Sequence, residues 1–151
     1  MGLSEQVPGG GAEAGRTLPT SANGDVVQLT VPALTGFLGV VRTATAGLAA
    51  RLRFTLDEIE DLRIAVDEAC VMLLSLPGPQ PPVAATLTCR FRVLDDALAV
   101  TVSAPVDDKA VMPAEQSFAW QVLTAHAAEV TGHAEAGQVA PQRLHAALSP
   151  R

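Results

Sequence analysis

Aromatic side chains are scarce in this chain. They make up 3% of its 151 residues, with one Trp, four Phe and no Tyr. Hydrophobic residues still reach 48%, and many of these are Ala, so the core must be aliphatic and finely packed. Positive charge is also sparse: ten Lys and Arg stand against sixteen Asp and Glu, a net charge of −6. Direct binding to nucleic acid needs a basic footprint, and this composition argues against it. Cys70 and Cys89 are the only cysteines, far apart in apolar patterns. They read as small buried hydrophobes in a reducing compartment rather than a disulfide framework. His126, His133 and His145 lack the spacing of metal ligands, so no metal site is expected. No run is long enough for a transmembrane helix, and no basic start leads into an apolar stretch. A cytoplasmic protein without a membrane partner is the expectation.

What remains is a pattern whose period changes several times. Residues 1–24 are rich in Gly, Pro, Ala and Ser, too poor in large apolar groups to offset the entropy of ordering, and read as a disordered tail. Residues 25–149 form one domain. Val26 to Val31 alternates as a short strand, with Val27, Leu29 and Val31 on one face. Pro32 ends it, and Leu34, Phe37, Leu38, Val41, Thr45 and Leu48 recur at helical spacing up to about Leu52. Thr55 and Glu58 then match a capping box, with Phe54 and Ile59 placed to form a hydrophobic staple. That second helix is expected to run to about Leu76 and stop at Pro77-Gly78-Pro79. Val83 to Leu94 and Leu98 to Val102 alternate about Asp95-Asp96 as an antiparallel hairpin, with Arg90 and Arg92 on its outer face. Ser117 to Val130 reads as a third helix ended by Gly132. Phe118 and Trp120 read as its core anchors. Residues from about Ala134 to Leu148 read as a second hairpin. The fold class is α+β: a two-layer sandwich, with about three helices on one face of a mixed, mostly antiparallel sheet.

One stretch carries chemistry. In Leu62-Arg63-Ile64-Ala65-Val66-Asp67-Glu68-Ala69-Cys70 an acidic pair interrupts a nearly all-apolar helix, and a buried carboxylate needs a partner or a task. Asp67 is accounted for by an i,i+4 pair with Arg63. Glu68 has no such account.

The same stretch resembles the second-helix motif of the anti-sigma regulatory factors, small serine-kinase-like proteins with the ATPase fold of histidine kinases and gyrase. Ser117-Phe118-Ala119-Trp120-Gln121-Val122-Leu123-Thr124-Ala125 is similar to a later helix of their actinobacterial sigma-F-type branch. The resemblance spans roughly residues 26 to 148. It implies a protein that sequesters an alternative sigma factor and is released by an anti-anti-sigma antagonist of the STAS type. It also implies a homodimer, and Arg42 on the first helix facing the protein partners. In active members the second-helix glutamate prepares the antagonist's serine for phosphorylation, and an asparagine one turn later ligates the magnesium of ATP.

Glu68 matches that glutamate as a candidate base, but Met72 stands at the asparagine's place. A soft thioether is a poor ligand for magnesium, which wants oxygen. After the hairpin, Ala104 takes the place of the adenine-reading aspartate, and Val106 and Asp108 take those of two glycines. Residues 104–117, where a glycine-rich lid belongs, contain no Gly. The resemblance therefore implies a binding protein with a weakened site for ATP or ADP with magnesium. An active serine/threonine kinase is the alternative.

Overall fold

The computed structural model describes residues 24–79 and 84–132 in full, and the strand backbones of residues 133–135 and 142–149. The expected tail up to Asn23 and the start of the first hairpin at Val83 lie outside the described residues.

The first strand, β1 (Asp25–Pro32), leads through a 3₁₀ turn at Thr35–Phe37 into α1 (Leu38–Arg51). Gly24, just before β1, has φ +77, and a Cβ there would strike the carbonyl oxygen of Val93. Glycine meets both demands at once. On α1, Leu38, Val41, Thr45 and Ala49 are buried, a spacing that sets one helical face against the core. The buried Thr45 hydroxyl donates to the carbonyl of Val41 at 2.8 Å, so no polar group is stranded.

The second helix, α2 (Leu56–Leu74), begins at the expected capping box. Glu58 N donates to Thr55 Oγ1 at 3.2 Å, and Thr55 N donates to Glu58 Oε2 at 2.7 Å. Leu62, Ala65, Val66, Ala69, Cys70, Met72 and Leu73 bury one side of α2. The other side is open, so Asp67 and Glu68 are only half-buried. The acidic pair thus marks an amphipathic helix rather than a fully enclosed one.

β2 (Thr86–Val93) and β3 (Leu98–Val106) form the expected hairpin, closed by Leu94 N donating to Ala97 O at 2.9 Å. Leu87, Cys89 and Phe91 face inward with Leu98, Val100 and Val102, while Arg90 and Arg92 are exposed. Then come α3 (Phe118–His126), β4 (Glu129–Glu135) and β5 (Gln142–Ser149). Sheet order is β1-β2-β3-β5-β4, and all four pairings are antiparallel. The two-layer α+β arrangement is as expected, without the parallel component of a mixed sheet among the described residues. α2 sits at the centre of the helical layer, packed against α1, α3 and β3.

Two local expectations fail. The third helix stops at His126, because Ala127 is extended (φ −132, ψ 147), and Val130 and Gly132 belong to β4. The helical spacing of Phe118, Val122, Leu123 and Ala127 carries no information about where the period ends, and Val130-Thr131 is a β-branched pair suited to a strand. Phe118 is 75% exposed, so it is no anchor, whereas Trp120 at 7% is one.

Candidate functional site

Ile64, Asp67 and Glu68 on α2 line a groove of about 190 Å³ together with Arg42, Glu60 and Arg63. A second groove of about 440 Å³, lined by Arg42, Thr43, Ala46, Gly47 and Arg63, opens beside it. Arg42 and Arg63 are common to both, so the α1–α2 seam presents one indented surface with Arg42 near its middle.

The ion pairs across this surface differ from the sequence expectation. Asp67 does not pair with Arg63. Arg42 Nε donates to Asp67 Oδ1 at 2.7 Å, and Arg63 Nη1 donates to Glu60 Oε2 at 2.6 Å on the same helix. The carboxylate of Asp67 holds the Arg42 guanidinium above its usual range, first through this hydrogen bond and then through its charge. Geometry decides the choice of partner: Arg63 satisfies itself one turn back, which leaves Asp67 for the neighbouring helix. Sequence spacing offers no signal for a partner 25 positions away.

Glu68 faces the smaller groove, and among the described residues it makes no hydrogen bond or ion pair. Its carboxylate is thus available at the surface of α2. Met72, one turn on, is 4% exposed and belongs to the hydrophobic core. Ala104 and Val106 are 2% and 1% exposed on the inner face of β3, and their backbones pair with Leu144 and Gln142 of β5. Asp108 is exposed in the turn that follows. The structure therefore separates the sequence-predicted residues. Glu68 and Arg42 share the open seam, Met72, Ala104 and Val106 fill the interior, and Asp108 lies apart in solvent.

The loop between β3 and α3 is held by its own bonds. Asp107 N donates to Pro77 O at 2.8 Å, tying the loop's start to the end of α2. Asp107 Oδ1 accepts from Lys109 N at 2.8 Å in a local turn. Ser117 caps α3 by accepting from Trp120 N, and the Trp120 indole N–H donates to Pro113 O. The Met112 side chain lies against Gly132 of β4, where a Cβ would come within 2.7 Å of its Cε. His126 Nδ1 lies 2.7 Å from Asp61 Oδ1, a further link between α2 and α3 that no sequence motif announces.

Two observations bear on a magnesium nucleotide. Position 72 offers a thioether inside an apolar layer, where magnesium would need oxygen donors. Among the described residues only Gly24 has positive φ, so the β3–α3 loop holds no left-handed residue with which to build a backbone anion nest. Neither position 72 nor the β3–α3 loop thus supplies the oxygen donor or the left-handed backbone named in the sequence comparison above. No cluster of three or more His, Cys, Asp or Glu suited to a metal occurs among the described residues. No helix there is long and apolar enough to cross a membrane.

No family model matches the chain. Its sequence is nevertheless similar to known proteins. The serine-protein kinase RsbW of Bacillus subtilis is 37% identical over 81 residues, which cover 54% of this chain and 50% of that protein. The serine-protein kinase RsbW of Halalkalibacterium halodurans is 35% identical over 79 residues, 52% of this chain and 47% of that protein. Against these relatives the chain spans about half their length. The anti-sigma-F factor RsbW of Mycobacterium tuberculosis is 35% identical over 124 residues, 80% of this chain and 71% of that protein. With identity at that level over most of both sequences, the chain belongs to the RsbW family of anti-sigma factors and serine-protein kinases.

Proposed function

We propose that this protein is an anti-sigma factor of the cytoplasm. It binds an alternative sigma factor and keeps it from RNA polymerase, and an anti-anti-sigma antagonist of the STAS type competes for the same surface and releases it. Switching then depends on the difference between two affinities. Arg42, exposed between two grooves at the α1–α2 seam, is the residue that faces these partners. The protein works as a homodimer, and its site for magnesium-ATP is degenerate and weakened. The observation that carries the last statement is Met72, packed into the core where a magnesium ligand would be required. Glu68 survives in this reading as a surface carboxylate of the docking face.

A second reading is an ATP-dependent serine kinase acting on the antagonist. One observation favours it: Glu68 is half-buried, unpaired among the described residues and faces a groove, as a general base would. The two are separated by calorimetric titration with magnesium-ATP, followed by recovery of the stoichiometric partner from the native cytoplasm. No nucleotide heat together with a captured sigma factor supports the first. Micromolar nucleotide binding, with antagonist phosphorylation that disappears in Glu68→Ala, establishes the second.

A further inference from the structure

The helices pack on one face of the sheet, and the opposite face of β1, β2 and β3 is open to solvent. Val31, Leu87, Cys89 and Phe91 point to the helical side, so the alternate positions, with Gln28, Thr88, Arg90, Arg92 and Thr101 among them, form the open side. No Asp or Glu falls on the open side of these three strands. The chain has sixteen acids against ten Lys and Arg, so a surface that carries cations alone runs against its composition. The other described cations have acidic or dipolar company. Arg42 and Arg63 are bonded to carboxylates at 2.7 and 2.6 Å. Arg51 ends α1, where a cation meets the helix dipole. Arg53 precedes the acidic first turn of α2, and Lys109 follows Asp107 and Asp108. Arg90 and Arg92 are both exposed, and among the described residues neither makes a hydrogen bond or ion pair, even with Asp95 or Asp96 in the turn beyond.

We infer that the open sheet face, centred on Arg90 and Arg92, docks an extended acidic segment of a partner protein. The two arginines alternate along β2, which sets them about 7 Å apart on one face. An extended segment repeats its own alternate side chains at the same spacing, so carboxylates at alternate positions meet both guanidinia at once. Each guanidinium presents a planar fork of donors that matches a carboxylate, and it gives up hydration more readily than an ammonium. Gln28 and Thr101 stand in register on either side of Arg90, and their side chains can donate to the remaining carboxylate lone pairs. Nucleic acid suits the face less well, because the open positions of these strands hold no aromatic ring on which bases could stack. The face lies across the sheet from the α1–α2 seam. It is therefore a second docking surface, beyond the sigma-factor reading, and it stays accessible while the seam is occupied.

The probe is a fluorescein-labelled peptide alternating Glu and Ser, titrated into the full chain and followed by anisotropy. Saturable binding is expected, weakening steeply between about 0.05 and about 0.3 M NaCl. It should fall about tenfold or more in the double variant Arg90→Gln, Arg92→Gln and stay unchanged in Arg53→Gln. A peptide alternating Gln and Ser should not bind. The native chain gives a reading that depends on no variant: the acidic peptide should slow phenylglyoxal modification of Arg90 and Arg92 and leave that of Arg53 unaltered. Absence of binding, an equal loss in Arg53→Gln, or modification of Arg90 and Arg92 at the same rate with and without peptide would each overturn the proposal. So would an oligothymidylate strand that protects the same two arginines and binds more tightly than the peptide, since the occupant would then be nucleic acid. No sigma factor or nucleotide is present, so failure here leaves the proposed function standing.

Discussion

Arg42 and Asp67 join the first two helices: the guanidinium Nε of α1 donates to the carboxylate Oδ1 of α2 at 2.7 Å. Both side chains keep contact with solvent, at 44% and 30% exposure. An exposed pair of this kind contributes at most about 1 kcal/mol, so its larger effect is to fix where Arg42 points. The residue proposed to face protein partners is thereby held by the same helix that carries Glu68.

Arg42 can be tested in three steps. Arg42→Ala should change unfolding free energy by less than about 1 kcal/mol. Arg42→Glu should leave the circular dichroism spectrum unchanged and weaken the complex with the captured partner. The exchange of Arg42→Asp with Asp67→Arg restores the link between helices but moves the cation to α2. If Arg42 touches the partner, the exchange will not rescue binding. Full rescue would make Arg42 a support for the fold instead, and unchanged affinity in Arg42→Glu would take it out of the interface.

The capping box should be measurable on its own. Thr55→Ala removes the acceptor for Glu58 N at the start of α2. It should lower stability by about 1 kcal/mol in urea unfolding, with an unchanged m-value. A loss below about 0.3 kcal/mol would mean that water or the neighbouring backbone replaces the cap.

Phe118 and Trp120, two positions apart, should behave as opposites. Phe118→Ala removes a side chain already in solvent and should stay within about 0.5 kcal/mol of the parent. Trp120→Ala empties a buried site and strands the carbonyl of Pro113, and should cost about 3–5 kcal/mol. Equal effects would contradict the orientation of α3.

Met72→Asn reinstates the oxygen that a magnesium site lacks, but places an amide in an apolar layer. It should destabilise the fold by at least about 2 kcal/mol. Neither parent nor variant should give heat with magnesium-ATP, because Ala104, Val106 and a loop without glycine remain. A micromolar dissociation constant in the parent would refute the reading of the interior as closed to nucleotide.

Local signals were the legible ones. The cap at Thr55 and the turn at Asp95-Asp96 each depend on residues within a few positions of one another, and both stand where the sequence places them. The inward row of Leu87, Cys89 and Phe91 follows from period two alone. The end of α3 was not legible, since Ala127 and Val130 suit either period and pairing with β5 decides. The partner of Asp67 was not legible either: Arg63 and Arg42 both lie within reach, and only the packing of α1 on α2 chooses between them. Glu68 and Met72 were placed on one helix by sequence, but which faced solvent and which the core required the third dimension.

The bond from the Trp120 indole to Pro113 has a practical side. With no Tyr and a single Trp, ultraviolet emission from this protein comes essentially from one ring, pinned to the 107–117 segment. Any rearrangement of that segment, whether on meeting a partner or on warming, should register as a shift in colour and yield of that emission, with no attached dye.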